Sequence, residues 1–191
     1  MKNIRLTTYI ISLMIFYNCS PKLNPYEIEV KINEKNTAHF EGNIDYMIKN
    51  LPVKELKAYG EDGVKSKLSK VFNSNRKYPI SYRDIGELKV LSNGKCGSYP
   101  YYNITYRVTK VRMTQYMDST ALALNYKNYG RENVTYNPNS KILHVTEYNE
   151  AILIFDKDKN WKVLGFDKNY IKLIYGKEFA NCVESSFNAE Q

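Results

Sequence analysis

The side chains best suited to redox or metal chemistry are three cysteines, Cys19, Cys96 and Cys182, and two histidines, His39 and His144. They form no C-x-x-C or H-x-x-x-H pair, so the sequence predicts no metal site and no cofactor. In an oxidising compartment Cys96 and Cys182 are able to form a disulfide. Their spacing is not diagnostic of a disulfide, so two free thiols are the alternative. Cys19 differs from both because it ends an apolar segment.

Acidic and amide side chains alternate near the carboxyl end of the chain, in the stretch DKDKNWKVLGFD. Asp156, Asp158 and Asn160 fall at alternate positions and Asp167 falls twelfth, a spacing similar to that of a calcium-binding loop. Trp161, however, occupies the sixth position, where that loop needs glycine, and both flanks have the pattern of strands. We therefore predict a hairpin turn here.

The first eighteen residues have the pattern of a secretory signal. Lys2 and Arg5 precede an apolar stretch, residues 6–17, which is shorter than the roughly 20 apolar residues of a membrane-spanning helix. We predict that residues 1–18 are a signal peptide, removed on export. They hold two of the 28 basic residues and none of the 20 acidic ones, so the mature charge is 26 minus 20, or +6.

The end of this segment resembles the signal of a bacterial lipoprotein, in which the residue after the cleavage site is a cysteine that receives acyl chains such as palmitate. Here that residue is Cys19. The family has Leu three residues before the cysteine and a small residue directly before it, whereas this chain has Phe16 and Asn18, which leaves ordinary cleavage or a retained anchor as alternatives. The resemblance implies a lipid at Cys19 and a location at a membrane of the bacterial cell envelope, on the periplasmic or surface side.

The positive charge of the mature chain is spread along the sequence. Lys65, Lys67 and Lys70 come closest to a patch, but they lie on one predicted helix, and a solvated helix face explains them. An anionic partner such as lipid headgroups is the alternative. The sequence predicts no nucleic-acid partner.

Amphipathic helices are predicted first along the chain. Apolar residues at helical intervals predict a helix over 37–51, and the polar segment before it, 19–36, is predicted to be a lipidated tether to one domain spanning 37–182. Two short helices are predicted next, one between Pro52 and Gly60 and one directly after it.

After Asn75 the pattern changes to period two, with tyrosine and β-branched residues that are typical of strands. A change of parity predicts a β-bulge near Thr109, and the stretch 119–130 is compatible with a helix or a strand. A last helix is predicted over 167–176, and residues 183–191 are predicted to be a polar tail. Helices followed by antiparallel strands predict a single α+β domain.

The leading helix HFEGNIDYMIKNL and the hairpin EAILIFDKDKNWKVLGFD together resemble NTF2-like (cystatin-like) domains. Those domains wrap a strongly bent antiparallel sheet around N-terminal helices to form a cone, and their catalytic members place Asp, Tyr or His side chains inside it. The resemblance implies five weak pocket candidates: Asp45, Tyr46, Tyr82, Asp84 and His144. None of them lies in a family catalytic motif, and helix-face, core or strand positions explain them better.

Because no nucleophile, base and metal set assembles in the sequence, we predict a non-enzymatic, membrane-anchored lipoprotein that serves as a binding or scaffold module. Besides the membrane, its partner is predicted to be a protein or a small apolar ligand. Two alternatives stay open. One is a cone-pocket isomerase or hydrolase that uses Asp84, Asp45 or His144, and the other is an immunity lipoprotein that neutralises a secreted toxin.

Overall fold

The computed structural model describes residues 21–75, 80–114 and 117–188. The predicted signal peptide, residues 1–18, lies outside this part of the chain. Within it, seven helices and five strands follow one another. They are α1 (Pro25–Glu41), α2 (Ile44–Lys49), α3 (Val53–Tyr59), α4 (Glu61–Asn75), β1 (Ile80–Cys96), β2 (Tyr99–Met113), α5 (Ser119–Tyr129), β3 (Val134–Asn137), β4 (Ile142–Phe155), β5 (Trp161–Gly165), α6 (Lys168–Tyr175) and α7 (Lys177–Asn188).

Helix α1 begins well before the predicted start of the domain. The Asn24 side chain accepts a hydrogen bond from the Glu27 N–H, and the Glu27 carboxylate accepts one from the Asn24 N–H, which together cap the helix. Ile28 and Ile32, one turn apart, are buried against the sheet. The predicted boundary between tether and domain, at residue 36, is therefore wrong, because these two isoleucines, which precede it, belong to the core.

Gly42 divides the helix predicted over 37–51 into α1 and α2. It has a φ of 67°, the left-handed conformation that ends a helix, and its N–H bonds back to carbonyl groups of α1. The Asn43 side chain then accepts a hydrogen bond from the Tyr46 N–H and starts α2. The two short helices predicted next are confirmed as α3 and α4, with Gly60 between them.

The five strands form one antiparallel sheet in the order β1-β2-β4-β3, and β5 also pairs with β4. Strand β4 is long enough for two strands to share one of its edges, because β3 pairs with residues 142–145 and β5 with residues 151–155. The sheet is strongly curled. Together with the helices, this confirms the predicted α+β class, a single domain with a bent antiparallel sheet.

The predicted bulge near Thr109 lies in the wrong strand. Strand β2 pairs with β4 without a register shift, whereas β1 shifts register against β2 three times between Arg83 and Ser92. Glu87, in this part of β1, has a φ of 49°. The change of parity in β2 instead reflects Val111, which is buried on the opposite face of the sheet from its apolar predecessors.

Two apolar clusters lie on opposite faces of the sheet. The front face is the one that α1 covers, and the back face is the one that α6 and α7 cover. Alternate residues of each strand contribute to each face, as strand geometry requires. The front-face strand residues are Ile104, Tyr106, Val108, Ala151, Leu153 and Trp161, and the back-face ones are Tyr101, Ile152, Ile154 and Leu164.

Helix α7 occupies much of the segment predicted to be a polar tail. Phe179 and Val183, one turn apart, are buried in the back-face cluster. The tail predicted over 183–191 is therefore wrong as far as residue 188, because an apolar stripe docks this otherwise polar helix. A disulfide joins Cys96, at the end of β1, to Cys182 in α7, with the two Cα atoms 6.0 Å apart. The bond closes a long loop and ties α7 to the sheet.

The undecided stretch 119–130 forms a helix, α5. The Asp118 side chain accepts a hydrogen bond from the Ala121 N–H at 2.7 Å and caps its start. Leu122 and Tyr126 then pack on a third apolar cluster, formed by residues of β3 and β4. Burial on this cluster, rather than sequence periodicity, decides between helix and strand.

Candidate functional site

Three basic side chains lie near one another at the carboxyl half of α1, and one of them is paired with a carboxylate. Lys35 and His39 follow the buried isoleucines at helical intervals, and Lys35 is half-buried, whereas His39 is exposed to solvent. Lys110 of β2 lies on the front face, two residues after Val108, and forms an ion pair with Glu147 of β4. We refer to Lys35, His39, Lys110 and Glu147 as the basic cluster.

The pKa values of Lys35 and His39 are both lowered in the folded protein. Burial lowers the pKa of Lys35 from 10.5 to about 8. Burial also lowers the pKa of His39, and the positive charges of Lys35 and Lys110 lower it further. An anion placed beside these groups would raise both pKa values again, because an opposite charge favours the protonated forms.

Neighbouring groups on α1 and α4 complete the surroundings of the basic cluster. The His39 ring meets the Phe72 ring of α4 edge-on, with the ring centroids 5.4 Å apart. The Nδ2 atom of Asn36 is enclosed and has no hydrogen-bond partner within the described ranges. A ligand acceptor near Asn36 would satisfy this buried donor, whose desolvation otherwise costs about 1 to 3 kcal/mol.

The two predicted pocket residues of α2 lie away from the basic cluster. The Asp45 side chain is 86% exposed, and its Oδ1 lies 3.4 Å from Lys65 Nζ. The Tyr46 hydroxyl donates a hydrogen bond to Glu34 Oε2 at 3.1 Å, and burial and the Glu34 charge raise the pKa of Tyr46. Both side chains therefore bridge neighbouring helices.

The other predicted pocket residues belong to two different strands. His144 is half-buried on the back face of β4, whereas Glu147 lies on the front face. Tyr82 pairs through its backbone with Lys110, and Asp84 also belongs to β1. The side chains of Tyr82 and Asp84 lie outside the described part of the chain. The structure thus places His144 apart from the α2 candidates and from the basic cluster.

Two buried charges hold the turn between β4 and β5 against the helices. The buried carboxylate of Asp156 accepts a hydrogen bond from the Val53 N–H at 2.9 Å, at the start of α3. Lys162, which is 0% exposed, donates to the Lys49 carbonyl at 2.9 Å, at the end of α2, and to Asp158 Oδ2 at 2.6 Å. A carboxylate at the positive end of one helix and an ammonium at the negative end of the other match both helix dipoles.

We refer to Asp156, Asp158 and Lys162 as the turn clamp. It accounts for the calcium-like spacing of this stretch, since both carboxylates already bond to N–H groups or to an ammonium. Within residues 21–75, 80–114 and 117–188, no group of three His, Cys, Asp or Glu side chains is arranged to hold a metal ion. The hairpin predicted here is present between β4 and β5.

The sequence prediction missed the basic cluster because Lys35 fell in the predicted tether. The available signal was the capping box at Asn24, which places the helix start early enough for Lys35 and His39 to continue the buried stripe. The partners Lys110 and Glu147 depend on strand register, which the sequence does not reveal.

No protein-family model and no curated protein sequence matches this chain. The predicted lipid attachment site, Cys19, lies outside the described residues. Across the described ranges, no helix combines the length and the apolar character needed to cross a bilayer.

Proposed function

We propose that this chain is a lipid-anchored binding module of the bacterial cell envelope. It has an NTF2-like cone and binds, without chemical conversion, a small ligand that carries an anionic group at the basic cluster. The observation that carries the proposal is that Lys35 of α1 and Lys110 of β2 both lie near enough to His39 for their charges to lower its pKa.

The first described contact of the chain with the sheet, at Leu23, lies close in sequence to the predicted attachment site, Cys19. The Leu23 N–H donates to the Tyr102 hydroxyl oxygen at 3.0 Å, and the same hydroxyl donates to the Leu23 carbonyl at 3.3 Å. Only four chain steps separate Cys19 from Leu23, and they span at most about 14 Å. Acyl chains on Cys19 would therefore hold the fold directly beside the bilayer, with each buried methylene contributing about 0.8 kcal/mol.

The position of α1 supports the NTF2-like cone. The helix crosses the front face of a strongly curled sheet, and Trp161 of the last hairpin is buried beneath it. The resemblance to NTF2-like domains places ligands between the helix and the sheet. The basic cluster occupies that place at the carboxyl end of α1.

An anionic ligand gives a physical reason for the composition of the basic cluster. In the free protein the ammonium groups of Lys35 and Lys110 both disfavour protonation of His39. Glu147 compensates Lys110 through its ion pair. A bound anion would turn the remaining repulsion into attraction, and sites that destabilise the free protein are common where binding is selected.

Binding without conversion is supported by the separation of the predicted pocket residues Asp45 and Tyr46 from His144. Asp45 and Tyr46 bridge neighbouring helices, and His144 lies on the back face of the sheet. General acid–base catalysis needs such groups within hydrogen-bond reach of one reacting atom. These three side chains do not share such a place.

Replacing Cys19 with Ala tests the anchor. We expect the wild-type protein to incorporate labelled palmitate and to sediment with membranes, and the Cys19→Ala variant to do neither. A Cys96→Ala/Cys182→Ala double variant is the matched control and keeps the label. Membrane sedimentation that is unchanged in Cys19→Ala would contradict the anchoring.

Titration with inorganic phosphate tests the ligand class. In NMR spectra of the imidazole signals, we expect millimolar phosphate to raise the pKa of His39 and to cause no displacement of the signals of His144, which lies on the back face. Lys35→Met removes this response, whereas Lys65→Met, on the outer surface of α4, retains it. A His39 titration curve that is identical with and without phosphate would exclude an anion site at the basic cluster.

A further inference from the structure

The chain enters the fold at the end of the sheet where both long hairpins turn. Tyr101 pairs with Ile154, so the start of β2 and the end of β4 lie side by side. The turn from β1 to β2 and the turn from β4 to β5 are therefore at the same end. Leu23 is bonded to Tyr102 close to that end. We refer to these two turns and the adjoining residues 21–23 as the tether end.

The tether end presents lysine side chains to solvent. Lys22 precedes Leu23 directly, Lys95 precedes the first turn, and Lys157 and Lys159 lie in the second turn. All four residues are exposed. They are not spaced as a sequence motif and come together only because the two hairpins turn at one end.

The acidic groups of the same segments are already engaged. Asp156 is buried and accepts the Val53 N–H, and Asp158 is paired with the fully buried Lys162. The Glu27 carboxylate accepts the N–H of the residue that caps α1. In the second turn, both carboxylates are thus paired within the protein, whereas Lys157 and Lys159 are exposed to solvent.

An exposed aromatic ring accompanies these lysines. Tyr26, in the first turn of α1, is 73% exposed although it lies only three residues after Leu23. Tyrosine is typical of the membrane–water interface, because its ring is apolar and its hydroxyl is polar. Its position on the first helical turn places it beside the point where the chain leaves the fold.

We propose that the tether end is a docking surface for the anionic headgroups of the membrane to which the chain is anchored. The inference deepens the proposed function and rests on attachment through Cys19. A tether of at most about 14 Å allows the tether end to lie against the headgroups, where the lysines come within one Debye length of anionic lipid, about 8 Å at physiological ionic strength. Attraction to anionic lipid therefore persists, and Tyr26 and the four lysines face the bilayer.

Acetylation of lysines in the mature protein bound to vesicles tests the proposal. Relative to vesicles of phosphatidylcholine alone, we expect vesicles that contain phosphatidylglycerol to slow the acetylation of Lys22, Lys157 and Lys159 by roughly fivefold. Lys127 and Lys141 belong to the opposite end of the sheet and are expected to keep their rates. Equal rates at both ends on both kinds of vesicle would overturn the docking surface.

A matched pair of variants makes the test independent of the anchor. Lys157→Gln/Lys159→Asn and Lys127→Gln/Lys141→Asn make the same change of charge, and each replaces one lysine of positive φ, Lys159 at 59° or Lys141 at 55°, with Asn. The preference for phosphatidylglycerol over phosphatidylcholine vesicles is expected to fall about 25-fold in the first variant, at roughly fivefold per lysine. It is expected to stay unchanged in the second.

Retention on phosphatidylcholine vesicles reports the acyl chains alone. A wild-type protein that is lost from these vesicles lacks the anchor, and the proposed function then fails in its anchoring part. Its binding to phosphatidylglycerol vesicles still decides the docking surface. Wild-type protein without any preference for phosphatidylglycerol, anchored or not, would refute the inference.

Discussion

Lys35→Met is expected to stabilise the fold at neutral pH. The pKa of Lys35 falls from 10.5 to about 8, and each unit of this fall corresponds to about 1.36 kcal/mol, so keeping the ammonium in place costs about 3 kcal/mol at most. Because the side chain keeps partial exposure to solvent, we expect about half of that value, roughly 1.5 kcal/mol. Methionine retains the length and the apolar stem of the lysine.

The gain in stability has a defined pH window. Between about pH 8 and 10.5 the unfolded chain still holds the proton of Lys35, whereas the folded chain has lost it. The unfolded state therefore binds more protons, and the free energy of unfolding of the wild type rises with pH across this window. The difference between Lys35→Met and the wild type is full below pH 8 and closes as the pH approaches 10.5.

Urea unfolding at pH 7, 9 and 10.5 measures this difference, with Lys31→Met on the same helix as the control. We expect a higher urea midpoint for Lys35→Met at pH 7, a difference that shrinks at the two higher pH values, and a control within about 0.5 kcal/mol of the wild type. A variant that is less stable than the wild type at pH 7, or a difference that does not depend on pH, would refute the assignment of Lys35 as a desolvated amine.

The turn clamp, the disulfide and α2 lead to three further predictions. Lys162→Met leaves the Asp158 carboxylate without its buried ammonium partner and is expected to lower the free energy of unfolding, measured in urea, by about 3 kcal/mol. A decrease of less than about 1 kcal/mol would mean that water, rather than Asp158 and Lys49, solvates the Lys162 ammonium. Reduction of the disulfide between Cys96 and Cys182 is expected to lower it by about 3 kcal/mol, measured with and without dithiothreitol, and identical midpoints would show that the bond does not form. Asp45→Asn is expected to change the free energy of unfolding by less than about 0.5 kcal/mol and to leave the phosphate response of His39 intact. Loss of that response would show that Asp45 contributes to anion binding.

Elements with strong local signals could be predicted from the sequence. Pro52 and Gly60 enclose α3, and the helix predicted over 167–176 is confirmed as α6, whose start is capped by the Asp167 side chain. The alternation of tyrosine and β-branched residues likewise led to the correct sheet class. These signals depend only on residues within a few positions of one another.

Elements that are held by a few buried residues could not be predicted. Helix α1 buries only Ile28, Ile32 and Ala38, and α7 docks through a short apolar stripe that includes Phe179 and Val183. Their burial depends on the sheet that receives them, so their composition alone resembles a tether and a tail. The same dependence hid the basic cluster, because Lys110 reaches it only through the packing of α1 on the front face.

The bond between Leu23 and Tyr102 also determines how mechanical force enters the fold. A pull on the residues before Leu23 reaches the Tyr102 hydroxyl first and then the backbone of β2. That strand is paired along its length with β1 on one side and with β4 on the other. Stress applied at the amino terminus is thus passed to the most fully bonded strand of the sheet and is shared by two ladders, before it can peel α1 away.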